Sequence, residues 1–155
     1  MQRDNRQSAD SGSLPPAIGV VICTRDRPAA LLETVASVLP QLGAGDEIVL
    51  IDDGCMAADT RAELEKMCAG RGVPIQYHQN ESPGLTRGRN LGARVARGEV
   101  LQYLDDDVTC LPGFFEELRL LFLDTTVAGV TAIVEEPAFS SRGGRLYQLG
   151  YCIAG

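Results

Sequence analysis

The chain has 155 residues, enough for one domain with a sizeable core, with 45% hydrophobic and 23% charged residues, the balance of an ordinary globular protein. Its formal net charge of -7 disfavours a grip on nucleic acid, which depends on neutralising phosphates with Lys and Arg. The five cysteines are odd in number and form no C-x-x-C pair, so a disulfide framework or zinc site is not expected, and reduced thiols point to a cytoplasmic setting.

Residues 1–16 are polar and lack an apolar h-region, so they are expected to be a disordered leader and not a secretory signal. Nowhere do 18 apolar residues follow one another, which gives no membrane span. Ala17–Cys23 is a continuous apolar run rich in β-branched residues, the pattern of a strand buried on both faces. A loop from Thr24 to Pro28 follows, and Pro28 suits a helix's first turn. Apolar residues at 31, 32, 35, 38, 39 and 42 predict a helix over Leu31–Leu42.

Glu47–Ile51 predicts a second buried strand, ending in Asp52-Asp53-Gly54, and Ala57–Met67 an amphipathic helix. Pro74–His78 predicts a third strand and Leu85–Val95 a third helix, opened by Ser82-Pro83-Gly84. Glu99–Leu104 predicts a fourth strand, Pro112–Leu123 a helix and Val127–Val134 a fifth strand, while the tail 135–155 has little pattern. Strands alternating with helices imply an α/β fold: a mostly parallel sheet with helices on both faces. Gly88 and Gly92, one turn apart, offer the third helix a smooth face for close packing.

Ligands on such sheets bind outside the carboxyl ends of the strands. Here those ends carry Thr24-Arg25-Asp26, Asp52-Asp53-Gly54 and Asp105-Asp106-Asp107. Adjacent carboxylates repel by about 4 kcal/mol at 4 Å near a protein surface. A hard divalent cation would relieve that repulsion, and one or two carboxylates plus phosphate oxygens make a normal magnesium or manganese shell. If the strand persists, Asp105 and Asp107 share a face and Asp106 points away. Asp52 and Asp53 are candidates to accept hydrogen bonds from a base or ribose, with a plain turn as the alternative, and Arg87 and Arg89 to contact base or phosphate. The single histidine, His78, is read as structural.

Four pieces then stand in order: Val20–Pro28 (VVICTRDRP), Glu47–Gly54 (EIVLIDDG), Gly84–Gly92 with Arg89-Asn90, and Gly98–Val108 (GEVLQYLDDDV). In these the chain resembles the donor-binding half of an inverting, family 2 type glycosyltransferase with the Rossmann-like GT-A fold. The resemblance implies a nucleotide-sugar-binding domain over 17–134, and 135–155 as the start of an incomplete acceptor-side region. It implies that Thr24 and Asp53, with Arg25 beside them, line the nucleotide pocket. The base there is usually uracil or thymine, so a UDP- or dTDP-linked donor is expected. Arg89 and Asn90, with Arg87, would shape the base and ribose side. Asp105 or Asp106 would face the ribose, and Asp107 would reach a bridging Mn2+ or Mg2+. A saccharide or lipid-linked acceptor is implied, with membrane association of a longer parent. No residue is assigned as the general base: Glu135 and Glu136 are the only acids after the fifth strand, and the base is expected beyond Gly155.

Three alternatives stand beside this: a non-catalytic nucleotide-sugar-binding or assembly module, a nucleotidyltransferase and a receiver domain. The nucleotidyltransferase is disfavoured because the loop after the first strand lacks glycine, and the receiver because the fifth strand does not end in lysine.

Overall fold

A computed structural model describes residues 15–133 and 149–154. The expected leader therefore lies outside the described residues, apart from Pro15 and Pro16, as do Glu135 and Glu136. The elements run β1 (Ile18–Thr24), α1 (Pro28–Val38), β2 (Glu47–Asp52), α2 (Ala58–Ala69), β3 (Ile75–Gln79), α3 (Leu85–Val95), β4 (Val100–Asp105), α4 (Phe114–Phe122), β5 (Gly129–Ile133) and β6 (Leu149–Ala154). They form one six-stranded sheet in the order β3-β2-β1-β4-β6-β5.

The pairs β1–β2, β1–β4 and β2–β3 are parallel. The apolar runs become central strands because helices cover both of their faces. On one face Val20, Ile22, Ile48 and Leu50 pack with Leu31 and Val35 of α1, Leu64 of α2, and Phe115 and Leu118 of α4. On the other, Val21, Val49 and Ile51 pack with Leu91 and Val95 of α3. The expected α/β sheet with helices on both faces is thus present.

The fifth strand differs from expectation. β5 does not pair with β4; β6 lies between them, antiparallel to both, so the sheet is mixed at that edge. β6 falls in the tail where the sequence shows little pattern, and its place depends on partners some 50 residues earlier in the chain, such as Val100 opposite Ala154. Two helix limits also shift. α1 begins at Pro28 and closes at Val38, because Pro40 has no N–H to continue the ladder and the chain tightens into a 3-10 turn over Leu39–Gln41. α4 starts at Phe114, not Pro112, because Gly113 sits at φ 90°, outside helical space.

Several acidic residues are consumed by the fold. Asp46 is buried, accepts from Ile18 N at 2.8 Å and from Gly43 N at 2.7 Å, and pairs with Arg119 of α4. Glu47 accepts from Gln76 Nε2 at 2.7 Å, from Gly98 N at 3.2 Å and from Arg97 N. Both stand at the amino-terminal ends of the parallel strands, where they satisfy backbone donors that would otherwise be buried unpaired.

Candidate donor-binding site

Strand register places the polar residues at the opposite, carboxyl-terminal rim. Cys23 lies opposite Asp105, Thr24 opposite Asp52, and Asp52 opposite Gln79. The four parallel strands therefore release their loops side by side. Between these loops is an open cleft of about 590 Å³, lined by Cys23, Thr24, Arg25 and Arg27 from β1 and its loop, Asp53, the Pro83–Leu85 turn, and Asp105–Asp107. A second cleft of about 510 Å³ lies between α1 and the start of α4, lined by residues such as Ser37, Gln41 and Cys110. It lies away from the carboxylate rim, so the chemistry belongs to the first.

The paired aspartates after β2 have divided roles. Asp52 is buried and closes the turn: its carboxylate accepts from Gly54 N at 2.8 Å, Met56 N at 2.9 Å and Tyr77 Oη at 2.7 Å. It has no free face to offer a nucleotide. Asp53 faces the cleft, with Oδ1 accepting from Asn80 Nδ2 at 2.6 Å and Oδ2 from Gly84 N at 2.9 Å. Each oxygen retains accepting capacity for a ligand donor. Gly84 presents its N–H at φ 150°, a backbone conformation that side chains other than glycine's rarely adopt. Asn80 is itself anchored, donating its N–H to Asp52 O at 2.8 Å. Pro83 and the half-exposed Leu85 add an apolar wall beside Asp53.

The acidic triplet does not follow strand alternation, because β4 ends at Asp105 and the chain turns. Asp105 points to α3, where Arg89 Nη2 donates to it at 3.0 Å. Asp106 is buried, accepting from Thr24 Oγ1 at 2.7 Å and Arg27 Nη1 at 3.3 Å. Asp107 is exposed and accepts from the same Arg27 Nη1 at 2.9 Å. So Asp106 and Asp107 share a cation, and Asp105 is the one set apart. The reason is that the turn resets the side-chain directions after the last paired residue.

Arg25 is exposed at the cleft, its guanidinium 4.0 Å from Asp26. Arg87 and Asn90 are exposed and do not line the cleft. Helix geometry explains Asn90: α3 turns Gly88 and Gly92 to the sheet, and a residue two positions on from Gly88 lies about 200° round the helix. Arg87 lies in the first turn of α3, on the flank opposite Arg89, which is the one turned towards β4. His78 bonds Gln76 Oε1 at 3.2 Å within β3 and is not among the cleft residues. Two residues that sequence reasoning did not single out prove central: Arg27, which bridges two carboxylates, and Asn80, which orients Asp53. Asn80 had an available signal, as a polar residue following a strand on the same rim.

Burial, reinforced by the charge of Asp53, pushes the Cys23 thiol up to about 11, with Arg89 opposing the shift and Asp105 and Asp106 adding to it. The thiol at the cleft floor is therefore neutral at physiological pH and is a poor nucleophile.

The donor set suits a hard cation only in part. Carboxylate oxygens fit Mn2+ or Mg2+. Among the described residues, however, no group of three or more His, Cys, Asp or Glu side chains is arranged to hold a metal alone. A cation here fits as one held by one or two carboxylates, with the shell completed by ligand oxygens and water.

The family model for glycosyl transferase family 2 matches residues 19–148. Polypeptide N-acetylgalactosaminyltransferase 5 of Caenorhabditis elegans is 34% identical over 139 residues, covering 85% of this chain and 22% of that protein. The chain spans about a fifth of the length of the curated relatives it matches. Among solved structures, TarS 1-349 of S. aureus superposes with a TM-score of 0.66 at 19% identity, over 83% of this chain and 38% of that one. The mannosyltransferase PcManGT of Pyrobaculum calidifontis, in complex with GDP-Man and Mn2+, gives 0.64 at 18% identity, over 80% and 37%. These two likenesses show the GT-A fold.

Proposed function

The chain belongs to glycosyl transferase family 2, and on that premise we propose that its carboxyl-terminal rim binds a nucleoside-diphosphate sugar for transfer of the sugar, with inversion, to an acceptor hydroxyl. One observation carries this reading: Thr24, Asp53 and Asp105–Asp107 come from the carboxyl ends of separate strands and meet in one cleft large enough for a nucleotide. Asp53, its two oxygens oriented by Asn80 and Gly84, accepts from the base, with Pro83 and Leu85 as the apolar wall. Arg25 supplies positive charge at the cleft, and Arg89, which is not among the lining residues, steadies Asp105 towards the ribose from behind. Thr24 fixes Asp106 at the floor, which leaves the exposed Asp107 to hold a divalent cation together with the donor's diphosphate. When bound, that cation supplies Lewis-acid neutralisation of the charge on the departing nucleoside diphosphate.

Inversion requires a general base that takes the acceptor's proton as its oxygen attacks the anomeric carbon in line. That base lies outside the residues assigned here. A UDP- or dTDP-linked donor is the expectation from the sequence, and the GDP-Man held by the mannosyltransferase neighbour makes guanine the comparison to run. Saturation-transfer NMR with UDP-GlcNAc, UDP-GalNAc and GDP-Man, each with diamagnetic Mg2+, tests the proposal. At least one nucleotide sugar should show contact at both base and sugar protons, and Asp53→Asn should weaken it. Absence of contact from all three would refute the reading.

A further inference from the structure

The side chain of Arg27 serves the carboxylate rim and not the helix that it precedes. It stands immediately before α1, where its backbone carbonyl accepts from Leu31 N at 3.1 Å, but its side chain caps no helical N–H. The backbone is thus anchored while the guanidinium extends to the rim, with the side chain 58% exposed. From that position a single nitrogen, Nη1, reaches Asp107 Oδ2 at 2.9 Å and Asp106 Oδ1 at 3.3 Å. The two acids differ. Asp106 is buried and also held by Thr24, whereas the Asp107 side chain is 54% exposed. The carboxylate best placed to take a metal is therefore already neutralised by the chain's own cation.

We propose that Arg27 is a resident counter-ion which competes with the divalent cation for Asp107, and that the donor's diphosphate draws it away. This rests on the donor-site reading above. A guanidinium and a dication cannot share one carboxylate oxygen without strong like-charge repulsion. A diphosphate offers the planar guanidinium a pair of anionic oxygens that together accept at least as well as Asp107. Binding of the donor would thus free the metal ligand at the moment the metal is needed. Linkage makes the effect reciprocal: nucleotide and metal each raise the other's affinity by the same factor. Arg27 is on this account a positioning residue that acts through Asp107.

The test is Mn2+ binding measured by the paramagnetic resonance signal of free Mn2+, with MnCl2 alone and with saturating UDP, each against the same solution without protein, because UDP itself binds Mn2+. The wild type should bind Mn2+ weakly alone and more tightly with UDP. Arg27→Gln should bind Mn2+ alone roughly tenfold more tightly, since a competing cation and its repulsion are both removed, and UDP should add less. Arg27→Lys, which keeps the charge, should stay near the wild type with MnCl2 alone. A gain of affinity is not what a damaged fold produces, and melting curves of both variants check the fold independently. Arg27→Gln binding Mn2+ alone no more tightly than wild type would overturn the inference while leaving the donor site standing. A wild type that binds no UDP even at saturating Mn2+ would overturn both.

Discussion

Gly92→Ala is expected to destabilise the protein, and Gly88→Ala is not, although the two glycines are one turn apart on the same helix face. A Cβ at Gly92 would lie 2.2 Å from Val21 Cγ1, with Cγ2 at 3.2 Å and Cβ at 3.3 Å. Val21 is 1% exposed, sits in the central strand and has a stiff χ1, so it cannot swing aside. Overpacking of this kind costs about 3 kcal/mol at the upper end, while replacing a helical glycine by alanine returns about 1 kcal/mol. The net loss is then about 2 kcal/mol. At Gly88 the nearest atoms are Cys23 Sγ at 3.0 Å and Ile51 Cγ2 at 3.3 Å, contacts that a small shift relieves. There, gain and cost should cancel to within about 1 kcal/mol. Urea unfolding of both variants gives the comparison directly. The effect should reach the site as well, because lifting α3 off β1 carries Arg89 away from Asp105, so Gly92→Ala should also bind nucleotide more weakly. A Gly92→Ala variant as stable as wild type, or a Gly88→Ala variant that is the worse of the two, would refute the packing argument.

Asp52→Asn should lower stability by about 2 kcal/mol, because one oxygen of this buried carboxylate becomes an amide N–H facing a part-buried donor, where three charge-assisted bonds now meet. An unchanged urea midpoint would show that Asp52 is not the anchor of its turn. Stability should also fall as pH rises above 9. Burial lifts the thiols of Cys23, Cys68 and Cys110 from 9.0 to about 11. Burial and the Asp52 hydrogen bond lift Tyr77 from 10.0 to about 12. Between the unfolded and folded values the native state holds more protons than the unfolded chain, so stability is full below pH 9 and is lost progressively towards pH 11 to 12. A melting temperature that stays level from pH 8 to pH 11 would contradict this.

The order β1-α1-β2-α2-β3-α3-β4-α4 was legible because each element carries its own period. Val20–Cys23 and Ile48–Ile51 read as two-sided strands, and Leu31, Val35 and Val38 as one face of a helix. Parallel strands then forced Thr24, Asp53 and the acidic triplet to one rim, before any side-chain geometry was known. What escaped was set by distant partners. β6 depends on pairing with β4 and β5, and no local pattern announces an antiparallel strand inserted between them. Arg27 reaches Asp106 and Asp107 across 79 and 80 residues of sequence, so its role follows from the loop geometry of β1. Asp52 and Asp53 are neighbours of identical chemistry, and only the turn and Tyr77 on the adjacent strand decide which is buried. The alternation expected of Asp105–Asp107 fails for a local reason: the strand stops at the first of the three.

The central claim is that this cleft holds a nucleoside diphosphate through a cation at Asp107. Calorimetric titration of UDP, with and without Mn2+, into the wild type and Asp107→Asn tests it most directly. UDP should bind the wild type more tightly with Mn2+, and Asp107→Asn should abolish that gain while keeping the metal-independent part. Binding that is indifferent to Mn2+, or a metal effect that survives in Asp107→Asn, would contradict the account.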